Sequence, residues 1–256
     1  MSEHDLLILA PMHGVTLRFL RNALARRFKA PELAVSPFIS TVAGGKINPS
    51  LLDDVDLSRE QRMRIVPQVI GKNPDDLRVM IRALKAMGHD RVDLNAGCPW
   101  PMVAKKGRGA GLAKNRDNLT AMLEAGCSEL PDGFSVKLRL GFERTDEILE
   151  LMPILNSFPL VEVCLHARTA RQMYEGNVEL DAFEAAAGVC KHPIVYNGDI
   201  FTAEIFIGLQ RRFPQIKRWM IGRGLLRNPF LMEEIIGGGE TKYDLNRIRN
   251  FAADCM

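Results

Sequence analysis

The sequence predicts an α/β chain built as a (β/α)8 TIM barrel, and three observations carry that prediction. Short β-branched runs recur eight times, separated by loops or amphipathic segments of helical period. The length of 256 residues matches such a barrel, typically about 250 residues. Most of the runs are near-continuously apolar, as expected for parallel strands covered on both faces. An open doubly wound sheet is the competing architecture, and the lack of a GxGxxG after the first run weakens its dinucleotide-binding form.

The runs are "LLILAP" (6–11), "LAVSPF" (33–38), "RIVPQVIG" (64–71), "RVDLNAG" (91–97), "FSVKLRLG" (134–141), "LVEVCLHA" (160–167), "PIVYNGD" (193–199) and "RWMIGRG" (218–224). Amphipathic stretches such as "PDDLRVMIRALKAMG" and "AEIFIGLQRRF" lie between them. Asn73 and Pro74 supply an N-cap and a first-turn proline, and Gly88 a C-terminal stop. Residues 1–236 read as the barrel domain. Residues 237–256, opening on the glycine run Gly237 to Gly239, read as a linker and the first helix of a further helical module, most of which is absent from the chain.

A composition of 46% hydrophobic and 25% charged residues excludes disordered and fibrous classes. The net charge of +3 neither demands nor excludes a nucleic-acid partner, so a basic case must rest on local clustering. Five cysteines, an odd number without a CxxC, argue against a disulfide framework and against a structural zinc site; no metal is expected. The opening "MSEHDLLILAPMHG" reads as a first strand and not as a signal peptide. No apolar stretch reaches the roughly 18 residues of a membrane span. A monomer in a reducing cytoplasm, without membrane association, is the expectation.

A barrel places its active site at the C-terminal ends of its strands. Those ends carry Pro11-Met12, Gln68, Asn95 with Cys98 just beyond, Lys137 to Arg139, His166 to Arg168, Asn197-Gly198-Asp199 and Gly222-Arg223. Burying such polar groups costs free energy unless partners are supplied, so their shared position points to one polar ligand with several hydrogen-bonding edges. Plainer roles are open to each: a rim lysine for Lys137, a satisfied core imidazole for His166, a cap and turn before Thr202 for 197–199. Gly198 and Gly222 to Gly224 close strands seven and eight, where barrels often hold a phosphate on backbone N–H groups, and this points to a phosphorylated cofactor.

Cys127, Cys164 and Cys190 sit in apolar settings and read as core fillers. Cys98 follows the fourth run in a glycine-rich loop. A thiol with a pKa near 8.5 is mostly protonated at neutral pH, which suits a proton donor. Val103 to Arg116 holds Lys105, Lys106, Arg108, Lys114 and Arg116 without an acid. That is either a solvated loop or a grip for a polyanion. "RNALARRFK" (21–29) is either a second basic face or merely an amphipathic helix.

The ordered blocks "LAPMHGVT" (9–16), "PQVIG" (67–71), "DLNAGCP" (93–99), "KKGRGAGLAK" (105–114), "VKLRLG" (136–141), "HARTARQMYEG" (166–176), "NGDI" (197–200) and "IGRG" (221–224) together resemble the bacterial tRNA-dihydrouridine synthases, FMN-dependent barrel enzymes. The resemblance implies that Pro11, Met12, Gln68, Lys137, His166, Asn197, Gly198, Asp199, Gly222 and Arg223 surround FMN. Lys137 would lie at the N1–O2 side of the flavin, with the backbone of Gly198, Gly222 and Arg223 on its phosphate. It further implies that Asn95, His166 and Arg168 hold the target uracil and that Lys105, Lys106 and Arg108 grip tRNA phosphates. NADPH would reduce FMN, the flavin would deliver hydride to C6, and Cys98 would protonate C5 to give 5,6-dihydrouridine. The uridine must first be splayed from its stack. Ala167 stands where the family usually has glycine, and His13 where relatives often carry an acid or another polar group. Two other readings keep the fold: an FMN-dependent pyrimidine oxidoreductase of the dihydroorotate dehydrogenase kind, and a flavin-free RNA-binding barrel.

Overall fold

The computed structural model describes residues 5–238 and 241–255. Ten strands occur where eight runs are expected: β1 (Leu6–Leu9), β2 (Leu33–Val35), β3 (Ile39–Ser40), β4 (Arg64–Val66), β5 (Gln68–Ile70), β6 (Val92–Asn95), β7 (Phe134–Gly141), β8 (Val163–Thr169), β9 (Ile194–Asn197) and β10 (Arg218–Ile221). The two extra strands come from prolines. Pro67 splits the third run, and Pro37 separates β2 from β3. Proline has no N–H to give to a ladder, so a strand breaks or shifts there. β2 pairs in parallel with β4, and beyond the prolines β3 pairs in parallel with β5. The chain forms two compact units, and two of the four points at which it passes from one to the other lie at these prolines.

The larger unit spans Phe38–Asp53 and Pro67–Gly198. Its parallel strands run in the order β3-β5-β6-β7-β8-β9. Side chains alternate across a strand. Asp93 and Asn95, then Ser135, Lys137 and Arg139, then Cys164, His166 and Arg168 therefore share one face. Leu94, then Val136, Leu138 and Leu140, then Leu165 and Ala167 take the other, and all of these are buried. The near-continuous apolar pattern expected of the runs is thus an alternation here, with a buried polar face.

Helices cover the apolar face. The helix Pro74–Ala86 is capped by Asn73 Oδ1, which accepts from Asp75 N at 2.9 Å and Asp76 N at 3.0 Å, and it stops just before Gly88 at φ +94°. The helix Arg116–Glu129 lies against Phe134, where a Cβ on Gly126 would come within 2.1 Å of the aromatic ring. Only glycine permits that approach.

The other unit holds strands in the order β10-β1-β2-β4, all parallel. Its helix Arg18–Arg27 carries Arg21, which is 1% exposed. The Arg21 guanidinium donates to Thr16 O and Asp54 O, both at 2.7 Å, and pairs with Asp54 Oδ2 at 2.8 Å. Arg27 pairs with Asp254 at 2.8 Å and Arg26 with Glu60 at 3.5 Å. The second basic face expected of this helix is therefore corrected: its arginines neutralise acids of the same chain. Asp254 ends the helix Leu245–Asp254, whose Phe251 packs edge-on against Phe28 with centroids 5.5 Å apart. The preceding helix Leu231–Gly237 is closed by Gly238 in the left-handed region, and Gly239 of the expected linker lies outside the described residues. Among the described residues no helix is long and apolar enough to cross a membrane, and none of the five cysteines is in a disulfide.

Gly126→Ala tests the helix–strand contact. In a helix interior alanine is normally the better residue by about 1 kcal/mol. Overpacking against Phe134 costs about 1–3 kcal/mol, and the 2.1 Å approach puts this site at the upper end. Denaturant unfolding should show a net loss of stability; a gain would contradict the packing described.

Candidate active site

Strand register brings the polar residues together in rows. Asp93 lies level with Gln68 on one side and Ser135 on the other, Asn95 with Lys137, Arg139 with His166, and His166 with Asn197. The buried Asp93, 3% exposed, accepts from Gln68 Nε2 and from Ser135 Oγ, each at 2.8 Å. Gln68 then presents its Oε1 to Asn95 Nδ2 at 2.7 Å. Asn95 in turn presents Oδ1 to the backbone N–H groups of Gly97 at 3.2 Å and Cys98 at 2.9 Å. A carboxylate at one end and two backbone donors at the other allow only one orientation for both amides. The turn packs closely on β7: a Cβ at Gly97 would lie 3.1 Å from the Leu138 backbone. Burial pushes the Asp93 carboxyl up to about 6, against the pull of its bonds from Gln68 and Ser135.

Cys98 is 9% exposed at the end of this chain of bonds. Burial raises its thiol above the ordinary value, opposed by the Trp100 N–H and the charges of Arg139 and Lys137. The proton therefore stays on sulfur at neutral pH. Gly109, at φ +56°, folds the following loop back onto the cysteine. A Cβ at 109 would stand 2.8 Å from both Cys98 Cβ and its carbonyl, and Ala110 N donates to that carbonyl at 3.0 Å.

The structure separates the five cations of this loop. Lys105 and Lys106 are exposed, and Lys114 holds its ammonium 4.2 Å from the Phe142 ring centroid. Arg108 is half-buried and donates to Thr41 O at 3.4 Å, while Arg116 pairs with Glu150.

Lys137 Nζ donates to Asn197 Oδ1 at 2.8 Å, and burial lowers its pKa. Two strand positions on, Arg139 binds three carbonyls: Gly97 at 3.0 Å, Thr169 at 2.8 Å and Met173 at 2.7 Å. Its guanidinium also lies 5.3 Å from the Tyr174 ring centroid, and burial pulls it down to about 10. Arg168 lies 3.5 Å from His166 Nε2 and gives other donors to the carbonyls of Glu175 and Gly176. The His166 and Tyr174 rings are 6.2 Å apart. The sequence alone points to no role for Asp93 or Tyr174 and marks Arg139 only as a strand end. Their positions, at i−2 from Asn95 and i+2 from Lys137, carry the signal that finds Asp93 and Arg139. Gly198, at φ +150°, closes this unit, with Val178 Cγ1 2.9 Å from where a Cβ would stand.

The other unit carries Pro11, Met12, Asp199, Gly222 and Arg223. Met12 N donates to Thr16 Oγ1 at 2.9 Å, which fixes the turn after β1. A Cβ on Gly222 would lie 3.2 Å from Ala10 Cβ and 3.5 Å from Met12 Sδ. Arg223 pairs with Asp199, a non-glycine residue at φ +36°. The cap of the helix Ala203–Arg212 is Thr202, whose side chain accepts from Ile205 N at 3.3 Å, so residues 197–199 do not serve as that cap. His13 is exposed.

The family model "Dihydrouridine synthase (Dus)" matches residues 8–252. The chain belongs to the dihydrouridine synthase family. It is 32% identical over 241 residues to tRNA-dihydrouridine synthase B of Shewanella oneidensis, covering 90% of this chain and 70% of that one. A probable tRNA-dihydrouridine synthase of Rickettsia conorii is 30% identical over 232 residues, covering 90% of this chain and 69% of that one. Among solved structures, morphinone reductase in complex with tetrahydroNAD matches with a TM-score of 0.61 at 12% identity, over 94% of this chain and 89% of that one. The old yellow enzyme homologue from Zymomonas mobilis matches with a TM-score of 0.60 at 12% identity, over 96% of this chain and 91% of that one. These two likenesses are of fold alone, and the fold class is the (β/α)8 barrel that the sequence predicts.

For this dihydrouridine synthase family member, Asp93 gives a pH signature. Its folded value of about 6 lies above the ordinary 3.8, so the protonated form is the one folding favours. The stability it contributes is complete below 3.8 and is lost as the pH rises through about 6. Thermal midpoints of wild type should therefore fall across that window relative to those of Asp93→Asn. A difference that stays constant across the window would contradict the assignment.

Proposed function

We infer that this chain reduces the C5–C6 bond of uridines in tRNA to 5,6-dihydrouridine, with FMN as its flavin and NADPH as the reductant. The observation that carries the reading is the buried thiol of Cys98, hung from Asn95 at the end of β6, with Lys137 on the neighbouring strand. Family membership supports uridine as the group reduced, and the names of the relatives support tRNA as its carrier.

The donor set suits FMN. Lys137, Gln68, Asn197 and His166 offer a cation, amides and an imidazole to a planar ring with several polar edges. Pro11, Met12 and Asp199 are further proposed contacts, and Gly198, Gly222 and Arg223 are the proposed phosphate holders. When bound, FMN supplies hydride for C6 of the pyrimidine, with NADPH as the source of electrons.

The residues of the chain do the rest. Lys137 favours negative charge on the ring. Asn95 and Arg168 orient the uracil. Cys98 gives its proton to C5: the S–H bond breaks, the C5–H bond forms, and the thiolate left behind is stabilised by Arg139 and Lys137. Lys105 and Lys106 hold RNA phosphates; Arg108 contributes charge to the same loop while bound to Thr41.

The test is NADPH-dependent dihydrouridine formation in unmodified tRNA, compared with free pyrimidines. Cys98→Ala should keep its flavin and oxidise NADPH, yet form product about 10²–10⁴-fold more slowly, the usual worth of a positioned acid. Wild-type turnover should persist through neutral pH and fall only in the alkaline range, where the raised thiol loses its proton. Product formation by Cys98→Ala at the wild-type rate would remove its role. Turnover of free pyrimidines alone would favour a small-molecule oxidoreductase, and a protein that takes up no flavin an RNA-binding barrel.

A further inference from the structure

A cavity of about 360 Å³ lies next to Cys98, lined in part by Pro99 and Pro101, the residues that follow it in the chain. That volume is within the range of small-ligand pockets, about 300–1,000 Å³. Its walls are mainly apolar, with Phe142 from the segment after β7 and Met173 from the segment after β8, while Lys105, Lys114 and Arg171 contribute cations. All three cations are exposed, and Arg171 pairs with Glu143 at 3.4 Å. An apolar slot with an aromatic wall and a cationic rim matches one chemistry: an aromatic base carrying a phosphate.

The wall is also built and held. Met173, a non-glycine residue, sits at φ +50°, in the left-handed region that side chains rarely adopt. Its carbonyl is bound by Arg139 at 2.7 Å, and the same guanidinium binds the Gly97 carbonyl at 3.0 Å. One side chain thus fixes the cavity wall relative to the turn that carries the thiol.

We propose that this cavity is a second subsite, which takes the nucleotide flanking the target uridine in the RNA strand: the base stacks on Phe142 in place of the Lys114 ammonium that now covers the ring, and Lys114 turns to the phosphate with Lys105 and Arg171. The proposal rests on the reading that Cys98 meets a uridine in RNA. Pro99 and Pro101 follow Cys98 in the chain and line the cavity, so the nucleotide next to a uridine at Cys98 has the cavity beside it. A nucleotide half of the dinucleotide reductant has the same chemistry, and the test separates the two sources.

Binding of unmodified tRNA and of NADP+ is measured separately from turnover, by anisotropy for labelled tRNA and by emission of the exposed Trp100 for NADP+. Phe142→Ala should weaken tRNA binding by about tenfold, since base–aromatic stacking corresponds to roughly 5- to 150-fold in affinity. Arg171→Glu, a surface change that leaves the fold intact, should weaken it similarly and flatten its salt dependence. Neither should alter NADP+ binding. Wild-type tRNA affinity in both variants would overturn the subsite. Loss of NADP+ binding with tRNA binding intact would assign the cavity to the reductant and overturn its assignment to RNA. A chain that binds tRNA as expected here but forms no dihydrouridine keeps the subsite and loses the proposed reaction.

Discussion

A buried carboxylate at Asp93 and the row of amides that leads from it determine where the thiol of Cys98 stands. Asp93 accepts from Gln68 Nε2, which leaves Gln68 Oε1 to accept from Asn95. Asn95 is left with a carbonyl aimed at the N–H groups of Gly97 and Cys98. Each such bond contributes about 1 kcal/mol net, but a buried partner left unpaired costs about 1–3 kcal/mol. The row is consequently held as a unit, and the cysteine turn is held with it. Arg139 secures the turn from the other side through the Gly97 carbonyl, and Gly109 lets the basic loop close over it.

This polar face is expensive to bury and is maintained by alternation. In β6, β7 and β8 every second residue is polar or ionisable and faces its register partners, while the residues between them are apolar and take the helices. Lys137 has Asn197, Asp93 has Gln68 and Ser135, and Arg139 has three carbonyls. The tight packing of the covered face, with Gly126 against Phe134, is what fixes the strand on which Ser135, Lys137 and Arg139 stand. Burial then sets the chemistry: it keeps the Cys98 proton in place and leaves nearby cations to meet the thiolate once that proton has gone.

Much of this is legible in the sequence because strand-end chemistry interrupts apolar runs. The run 134–141 coincides with β7, and Asn95, Cys98, Lys137 and His166 stood out as polar groups where a barrel puts its site. The prolines at 37 and 67 were visible as residues, yet their effect depends on which strands pair on either side, and that is a long-range property. Asp93 and Arg139 were hidden because their partners lie on other strands and in loops distant in sequence. The basic residues misled for the opposite reason. Arg21, Arg26, Arg27 and Arg116 look available in one dimension, and their acids, Asp54, Glu60, Asp254 and Glu150, come from elsewhere in the chain.

The dependence of the Cys98 turn on the amide row is open to a direct measurement that requires neither flavin nor RNA. The rate of alkylation of Cys98 by iodoacetamide, read by peptide mass spectrometry to separate it from the other four cysteines, reports how firmly the turn is closed. Asn95→Ala removes two backbone hydrogen bonds of about 1 kcal/mol each, so opening of the turn should become roughly ten- to thirtyfold more favourable. The account predicts that Cys98 in that variant is alkylated faster by about that factor, with the rates at Cys190 and Cys255 unchanged. An unchanged rate at Cys98 in a folded Asn95→Ala protein would contradict it.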